Sequence, residues 1–181
     1  MSLPKKTTSS AGFTLLELMI VVVIIGIVTA GIVPGFSSYI RNQNLKQAQE
    51  QLKSDMRTVQ NKALTGALSS STFAGGVNVK YWGIKFVNGQ SAYDYFVSTT
   101  DAGCPAGPPY GAGVYQGKDA FNSNLDIQSA GTQCVFFSLT SGDITSTLIS
   151  SGTGTALVGY SGTELKKVFF NTPGLIYSTN Q

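Results

Sequence analysis

Glu17 is an acidic residue near the start of a long apolar stretch, where a charge needs a chemical reason. No charged side chain follows it between Leu18 and Ile40. A carboxylate that enters a membrane costs at least about 2.5–3.5 kcal/mol, so either Glu17 lies at the membrane interface of a simple anchor or it needs a positive partner at the same depth. No second carboxylate, histidine or cysteine lies near it, and general acid–base catalysis therefore has no partner here. The residue types favour charge pairing over catalysis.

The stretch from Gly12 to Arg41 is long enough to cross a membrane, since about 20 apolar residues at about 1.5 Å each span a bilayer core. Lys5 and Lys6 precede it in a polar segment. A secretory signal peptide also has a basic segment, an apolar segment and then a small-residue cleavage site. Residues 28–30, Val-Thr-Ala, could be such a site. A cleaved signal peptide is therefore an alternative, although the apolar run continues beyond Ala30.

The run Gly12-Phe13-Thr14-Leu15-Leu16-Glu17, placed between a basic leader and an apolar segment, resembles the prepilin peptidase site of type IV pilins and type II secretion pseudopilins. Gly26 and Pro34 also stand where this family tends to have a glycine and a proline. The resemblance implies that a leader, residues 1–12, is cleaved between Gly12 and Phe13. It further implies N-methylation of the new amine of Phe13.

The same resemblance implies the partners and the location of the protein. The partners would be homologous pilin or pseudopilin subunits, prepilin peptidase, an inner-membrane assembly platform, and membrane lipid before assembly. The chain would cross the inner membrane once and then enter a periplasmic pseudopilus or an extracellular pilus. The Phe13 amine of a staggered neighbouring subunit would supply the charge that Glu17 needs, because opposite charges attract more strongly at low dielectric. Glu17 is therefore interpreted as an assembly residue.

One helix is expected from Phe13 to about Gly66, with a kink at Pro34 because proline lacks an amide donor and clashes with the preceding turn. After Arg41 the helical pattern becomes amphipathic. The expected division is a leader (1–12), a transmembrane or filament-core helix (13–40), an amphipathic helix (41–66) and a β-rich domain (67–181). The apolar side chains expected to pack on that domain recur at spacings of three and four: Leu45, Ala48, Leu52, Met56, Val59 and Ala63.

The residues after Gly66 favour strands and turns. Asn88-Gly89 predicts a hairpin turn, and the Gly- and Pro-rich segment 101–113 is expected to be an irregular loop. The fold class is therefore α+β, with the long helix packed on an antiparallel β-sheet domain. The expected strands are residues 77–87, 92–99, 125–128, 133–139, 144–149, 156–160, 165–171 and 175–178.

The two cysteines, Cys104 and Cys134, are expected to form a disulfide, because paired cysteines in an extracytoplasmic protein usually do; two free thiols are the alternative. No metal site, cofactor or catalytic residue is predicted. The sequence contains no histidine, which removes the commonest metal ligand and general base. The scattered aspartates lack the ligand spacing of an EF-hand. The chain is therefore not expected to be an enzyme.

Two weaker patterns remain. The run Val168-Phe-Phe-Asn-Thr-Pro-Gly174 resembles a late strand of H-type minor pseudopilins and FimT-like minor pilins, and Arg57–Leu64 resembles their helix; ordinary turns are the alternative reading. DNA is possible as a partner but less favoured than a solvated lysine-rich face. The lysines of that face would be Lys80, Lys85, Lys118, Lys166 and Lys167.

The sequence therefore predicts a structural subunit of a type IV pilus or a type II secretion pseudopilus. One alternative is a membrane-tethered binding module, for DNA or a surface ligand, that never polymerises. Another is a secreted enzyme with an ordinary signal peptide. Removal of Lys5 and Lys6 with the leader would lower the formal net charge from +3 to +1. Such a nearly neutral mature chain does not have the dense basic surface of a nonspecific nucleic-acid binder.

Overall fold

One long helix, α1, runs from Leu15 to Leu64, and ten strands follow it in the part of the chain that the structure describes. The structure is a computed structural model that describes residues 12–67, 78–105, 115–121, 124–146, 148–160 and 164–179. The chain divides into two compact units, Met1–Arg41 and Asn42–Gln181.

The architecture is α+β, as predicted. The strands are β1 (Tyr81–Val87), β2 (Ala92–Ser98), β3 (Tyr115–Ala120), β4 (Asp126–Ile127), β5 (Thr132–Ser138), β6 (Ile144–Ser146), β7 (Ile149–Ser150), β8 (Thr153–Gly159), β9 (Leu165–Asn171) and β10 (Ile176–Ser178).

The amphipathic half of α1 buries the stripe that its sequence pattern predicts. Each of the six residues in that stripe has at most 3% of its surface exposed. They belong to one apolar core with inward-facing residues of both β-sheets, such as Ile84 of β1 and Val168 of β9. Spacings of three and four place these side chains on one face of a helix, so the local pattern was sufficient to identify them.

The first sheet has the order β3-β2-β1-β5-β6, and all its pairings are antiparallel. Along β1, Trp82, Ile84 and Phe86 belong to the core that includes α1. Successive strand residues face opposite sides of a sheet, so Gly83 and Lys85 face away from that core. Asn88 and Gly89 form the predicted turn between β1 and β2, and Gly89 has a φ of 71°.

The outer face of this sheet has a small apolar cluster of its own. Phe96, Cys134 and Phe136 are buried there, with Tyr81 and Cys104 partly buried against them. Gly83 pairs directly with Phe96, and a Cβ at residue 83 would collide with the Phe96 ring. A glycine is therefore needed at position 83 for this ring to lie flat on β1.

The second sheet has the order β10-β9-β8-β4, with β7 paired to β8. A single strand predicted over residues 144–149 is wrong, because β6 belongs to the first sheet and β7 to the second. The hydroxyl of Ser146 accepts a hydrogen bond from the Leu148 amide (3.1 Å) and donates one to Cys134 O (2.7 Å). A local bond such as that between Ser146 and Leu148 competes with a strand ladder, and it lies where β6 ends, while the bond to Cys134 holds Ser146 on β5.

Strand β3 was not predicted at all. Its residues, Tyr-Gln-Gly-Lys-Asp-Ala, lack the β-branched residues that favour strands. It forms because Ala92 to Phe96 of β2 offer a free edge for antiparallel pairing. Much of the predicted 101–113 loop lies outside the described residues, as do the leader residues 1–11.

One edge of α1 is joined to the second sheet by polar contacts that the apolar pattern does not reveal. Strand β10 lies at the edge of that sheet, and edge strands need their free backbone groups covered. Two side chains of α1 bind β10 itself: Arg57 donates to Ile176 O (2.7 Å) and Lys53 to Ser178 Oγ (3.2 Å). Two others bind next to it: Gln49 donates to Lys167 O of β9 (2.7 Å) and Gln60 to Gly174 O before β10 (2.8 Å).

Candidate processing and assembly site

The bond between Gly12 and Phe13 lies in non-helical backbone immediately before α1. Residues 12–14 have no regular secondary structure, and the helix begins at Leu15. The Phe13 side chain is 85% exposed, and a Cβ on Gly12 would meet no atom within 4 Å. No described residue therefore covers Gly12 or Phe13.

Thr14 forms the N-cap of the helix. Its hydroxyl Oγ1 accepts a hydrogen bond from the Glu17 amide at 3.2 Å, and its carbonyl accepts the Leu18 amide at 3.2 Å. The carboxylate of Glu17 lies in the first turn of α1, where the helix dipole favours negative charge. The sequence Thr-x-x-Glu has the spacing of a capping box, and the hydrogen bond from the Glu17 amide to the Thr14 hydroxyl is one of the two bonds of that motif.

The helix after Glu17 has apolar side chains all around it. From Leu18 to Gly31 every residue is exposed, and the exposed fraction of the large apolar side chains in this segment runs from 47% at Val21 to 70% at Ile27. The hydroxyl of Thr29 donates to Ile25 O at 2.6 Å, so this polar group is satisfied within the helix. A helix that is apolar on all sides requires cover from lipid or from other helices.

Among the described residues, no single helix is long and apolar enough to cross a membrane, whereas two segments of α1, Leu15–Gly31 and Phe36–Leu64, meet that requirement together as a bent pair. Pro34 lies between these two segments, and the kink at this residue remains a prediction. The roles of Gly12 and Phe13 in cleavage, of Phe13 in methylation and of Glu17 in assembly also remain predictions.

A disulfide joins Cys104 to Cys134 in the second unit, with the two Cα atoms 5.4 Å apart. It attaches the segment after β2 to the outer face of the first sheet. Lys85 stands directly opposite Cys134 in the β1–β5 pairing, and its Nζ donates to Pro105 O at 2.8 Å. A covalent bond and a charged hydrogen bond thus hold neighbouring residues of the same segment.

This contact corrects part of the proposed lysine-rich face. Lys85 is only 6% exposed, because its ammonium group is turned onto the Pro105 carbonyl. Lys80 and Lys118 are exposed on or beside the first sheet, whereas Lys166 and Lys167 belong to β9 of the second. The lysines are therefore divided between two sheets, and Lys85 is not part of a solvated face.

Within the described residues, no group of three or more histidine, cysteine or acidic side chains could hold a metal ion. The described part of the structure therefore offers no metal-ligand set beyond the scattered aspartates considered from the sequence.

A polar cluster between α1, β2 and β3 was missed by sequence reasoning. The hydroxyl of Tyr93 donates to the carboxylate of Asp55, and Gln51 Nε2 donates to Asp119 Oδ1 (3.4 Å) and Ala120 O (3.2 Å).

Burial raises the pKa of Asp55 above its usual range. The charge of Asp119 raises this pKa further, whereas the hydrogen bond from Tyr93 lowers it. Burial, reinforced by Asp55, also raises the pKa of Tyr93. Gln51 and Asp55 are spaced so that they lie on one edge of the helix, and this spacing was the sequence feature that could have indicated the polar cluster.

We expect Asp55→Asn to change how stability depends on pH. Because the pKa of Asp55 is raised on folding, the folded state loses stability as pH rises from about 4 through the raised value. Asparagine keeps an acceptor for the Tyr93 hydroxyl and carries no charge, so it removes this loss. Thermal unfolding of the full chain in detergent should show the Tm of the variant rising relative to the wild type between pH 4 and pH 7. A relative fall over that range would contradict the assignment.

The comparisons with known proteins concern the same N-terminal segment. A family model described as the prokaryotic N-terminal methylation motif matches residues 7–33. No curated protein and no solved structure matches the chain. Membership of the H-type or FimT-like subgroup therefore remains a prediction. The matched residues include Gly12, Phe13 and Glu17 and end within the exposed apolar helix. The chain therefore carries at residues 7–33 the N-terminal methylation motif, which is the leader of type IV pilins and pseudopilins.

Proposed function

We propose that this chain is a structural subunit of a type IV pilus or a type II secretion pseudopilus. It is inserted in the inner membrane and polymerised through its N-terminal helix. The observation that supports this most directly is the continuity of the methylation motif with a helix that exposes apolar side chains on all sides. A structural role requires no catalytic group, and force and ATP chemistry would come from other proteins.

The exposed helix suits two successive environments. In the membrane, lipid covers its apolar side chains, and its backbone groups are bonded within the helix, as a bilayer requires. Outside the membrane the same side chains would face water, where each large one costs about 1.5–3 kcal/mol relative to burial. Packing against the helices of neighbouring subunits removes that cost, and this favours a filament core over a free subunit.

Glu17 links assembly to removal of the leader. Before cleavage, residue 13 has an amide nitrogen and no positive charge. Cleavage between Gly12 and Phe13 creates an amine that a neighbouring Glu17 can pair with. An uncompensated buried charge is strongly destabilising, so only processed subunits would present a complete set of charges. Processing before assembly follows from this chemistry.

The test is the N-terminus of the mature protein in its native host. We expect a mass that corresponds to a chain beginning at methylated Phe13, recovered both from the inner membrane and from filaments, which are sheared off the cells for a pilus and isolated from the periplasm for a pseudopilus. A strain without prepilin peptidase is the control and should accumulate the full-length chain. A mature chain beginning at Gly31 would indicate an ordinary signal peptide. Correctly cleaved protein that never enters filaments would favour the tethered binding module.

A further inference from the structure

We infer that Thr14 is a positioning residue for leader removal, because it ends α1 close to the scissile bond and keeps that bond outside the helix. This inference rests on the proposed cleavage between Gly12 and Phe13. Thr14 is not one of the two residues joined by the scissile bond, so its role is positional. Its effect on cleavage is exerted through the backbone conformation of Gly12 and Phe13.

The local geometry supports this role for the threonine. Gly12 and Phe13 are exposed and non-helical, and regular helix begins at Leu15. The Thr14 hydroxyl accepts the Glu17 amide at 3.2 Å, which satisfies one of the donors left free at a helix start. The Leu18 amide already bonds to Thr14 O. Thr14 is therefore the boundary residue itself, and only Phe13 separates it from the scissile bond.

The cap matters because the helix beyond it is long and apolar. Propagation adds one hydrogen bond for each residue fixed, so an existing helix extends more readily than a new helix forms. Extension by one turn towards the N-terminus would enclose the bond between Gly12 and Phe13. A bond within a helix is cut only when the helix opens locally, and the cleavage rate then follows the population of the open form. A cap that stops the helix at Thr14 keeps that population high.

The residue type at position 14 separates capping from direct recognition by the peptidase. Serine and asparagine cap at least as well as threonine, whereas valine has almost the same shape as threonine and caps poorly. If Thr14 acts as a cap, Thr14→Ser and Thr14→Asn should be cleaved like the wild type, and Thr14→Val should be slow. If the peptidase instead reads the shape of the side chain, Thr14→Val should be cleaved normally and Thr14→Asn slowly.

The experiment measures initial rates of leader removal from the full chain in detergent micelles by purified prepilin peptidase. We expect Thr14→Val to be cleaved about 5-fold more slowly, which corresponds to the usual contribution of an N-cap. Backbone chemical shifts of Gly12 and Phe13 in the same micelles should be non-helical in the wild type, Thr14→Ser and Thr14→Asn. They should become helical in Thr14→Val.

Each outcome decides the question. Normal cleavage of Thr14→Val, or slow cleavage of both Thr14→Ser and Thr14→Asn, overturns the positioning role and leaves the proposed function intact. Unchanged chemical shifts in a slowly cleaved Thr14→Val also overturn it, because the helix boundary has then not moved. Failure of the wild-type chain to be cleaved between Gly12 and Phe13 overturns the proposed function and this inference together.

Discussion

The variant Glu17→Val is expected to be cleaved and retained in the membrane but to be absent from filaments. Replacing the carboxylate with an apolar side chain removes the cost of placing a charge in hydrocarbon, so insertion should not suffer. The Phe13 amine of a neighbouring subunit would then be buried without a counter-charge, which typically costs 3–5 kcal/mol. That penalty recurs at every subunit contact, so we expect near-complete loss of incorporation.

The measurement is the amount of this protein in filaments, sheared from the surface or isolated from the periplasm of cells that carry no wild-type copy, divided by its amount in the membrane. Leu16→Val is a matched control, since it alters a neighbouring exposed side chain of the same helix turn without changing charge. Mass spectrometry of the membrane fraction establishes that the leader has been removed from both variants. A normal filament content of Glu17→Val would refute the pairing mechanism.

Loss of the disulfide is expected to have the largest effect on the stability of the second unit. The bridge between Cys104 and Cys134 closes a loop with a sequence separation of 30 residues. Closing a loop of that size stabilises a protein by about 3–4 kcal/mol in the chain-entropy model. We therefore expect Cys104→Ala to lower the free energy of unfolding by about that amount, because the hydrogen bond from Lys85 alone cannot reproduce a covalent constraint.

Chemical unfolding of the full chain in detergent tests this expectation. Cys134→Ala should have a similar effect to Cys104→Ala, with a small additional loss because Cys134 is fully buried beside Phe96 and Phe136. A reducing agent should destabilise the wild type to the level of the variants and leave the variants unchanged. If the wild type is equally stable with and without reductant, the bridge contributes nothing to stability.

Hydrogen exchange would show where the constraint acts. Without the bridge, the segment from Thr99 to Pro105, which follows the end of β2, should lose protection first, because the hydrogen bond from Lys85 to Pro105 O is weaker than the covalent bond it accompanies. Protection of Leu52 and Met56 should persist longest, since these residues belong to the core shared by α1 and both sheets. Sub-global opening of this kind follows the distribution of buried contacts.

Features that depend on neighbours in sequence could be predicted without a structure. The apolar stripe of α1 is an example, because residues three and four apart share a helix face whatever they pack against. The turn at Asn88-Gly89 is another, because its residue types favour the positive φ found at Gly89. The processing motif also belongs to this class, since it is a fixed order of residues along the chain.

Features that depend on distant residues could not be predicted in this way. Strand β3 exists because β2 has a free edge, and its own composition gave no sign of it. Residues 144–149 looked like one strand, but hydrogen bonds of Ser146 to Leu148 and to Cys134 divide them between two sheets. Lys85 looked like a surface residue, yet it is buried because a segment joined to Cys134 places a carbonyl over it.

The sequence by itself determined the processing motif, the apolar helix with its single carboxylate, the amphipathic stripe and the α+β class. The tertiary structure alone decided the division of the strands into two sheets, the burial of Lys85 and the contact between Tyr93 and Asp55. The physical reason is the range of the interactions. Helix periodicity and capping involve residues within about four positions of one another, whereas sheet edges and buried polar pairs join residues separated by tens of positions, and their energy depends on which partner the fold brings near.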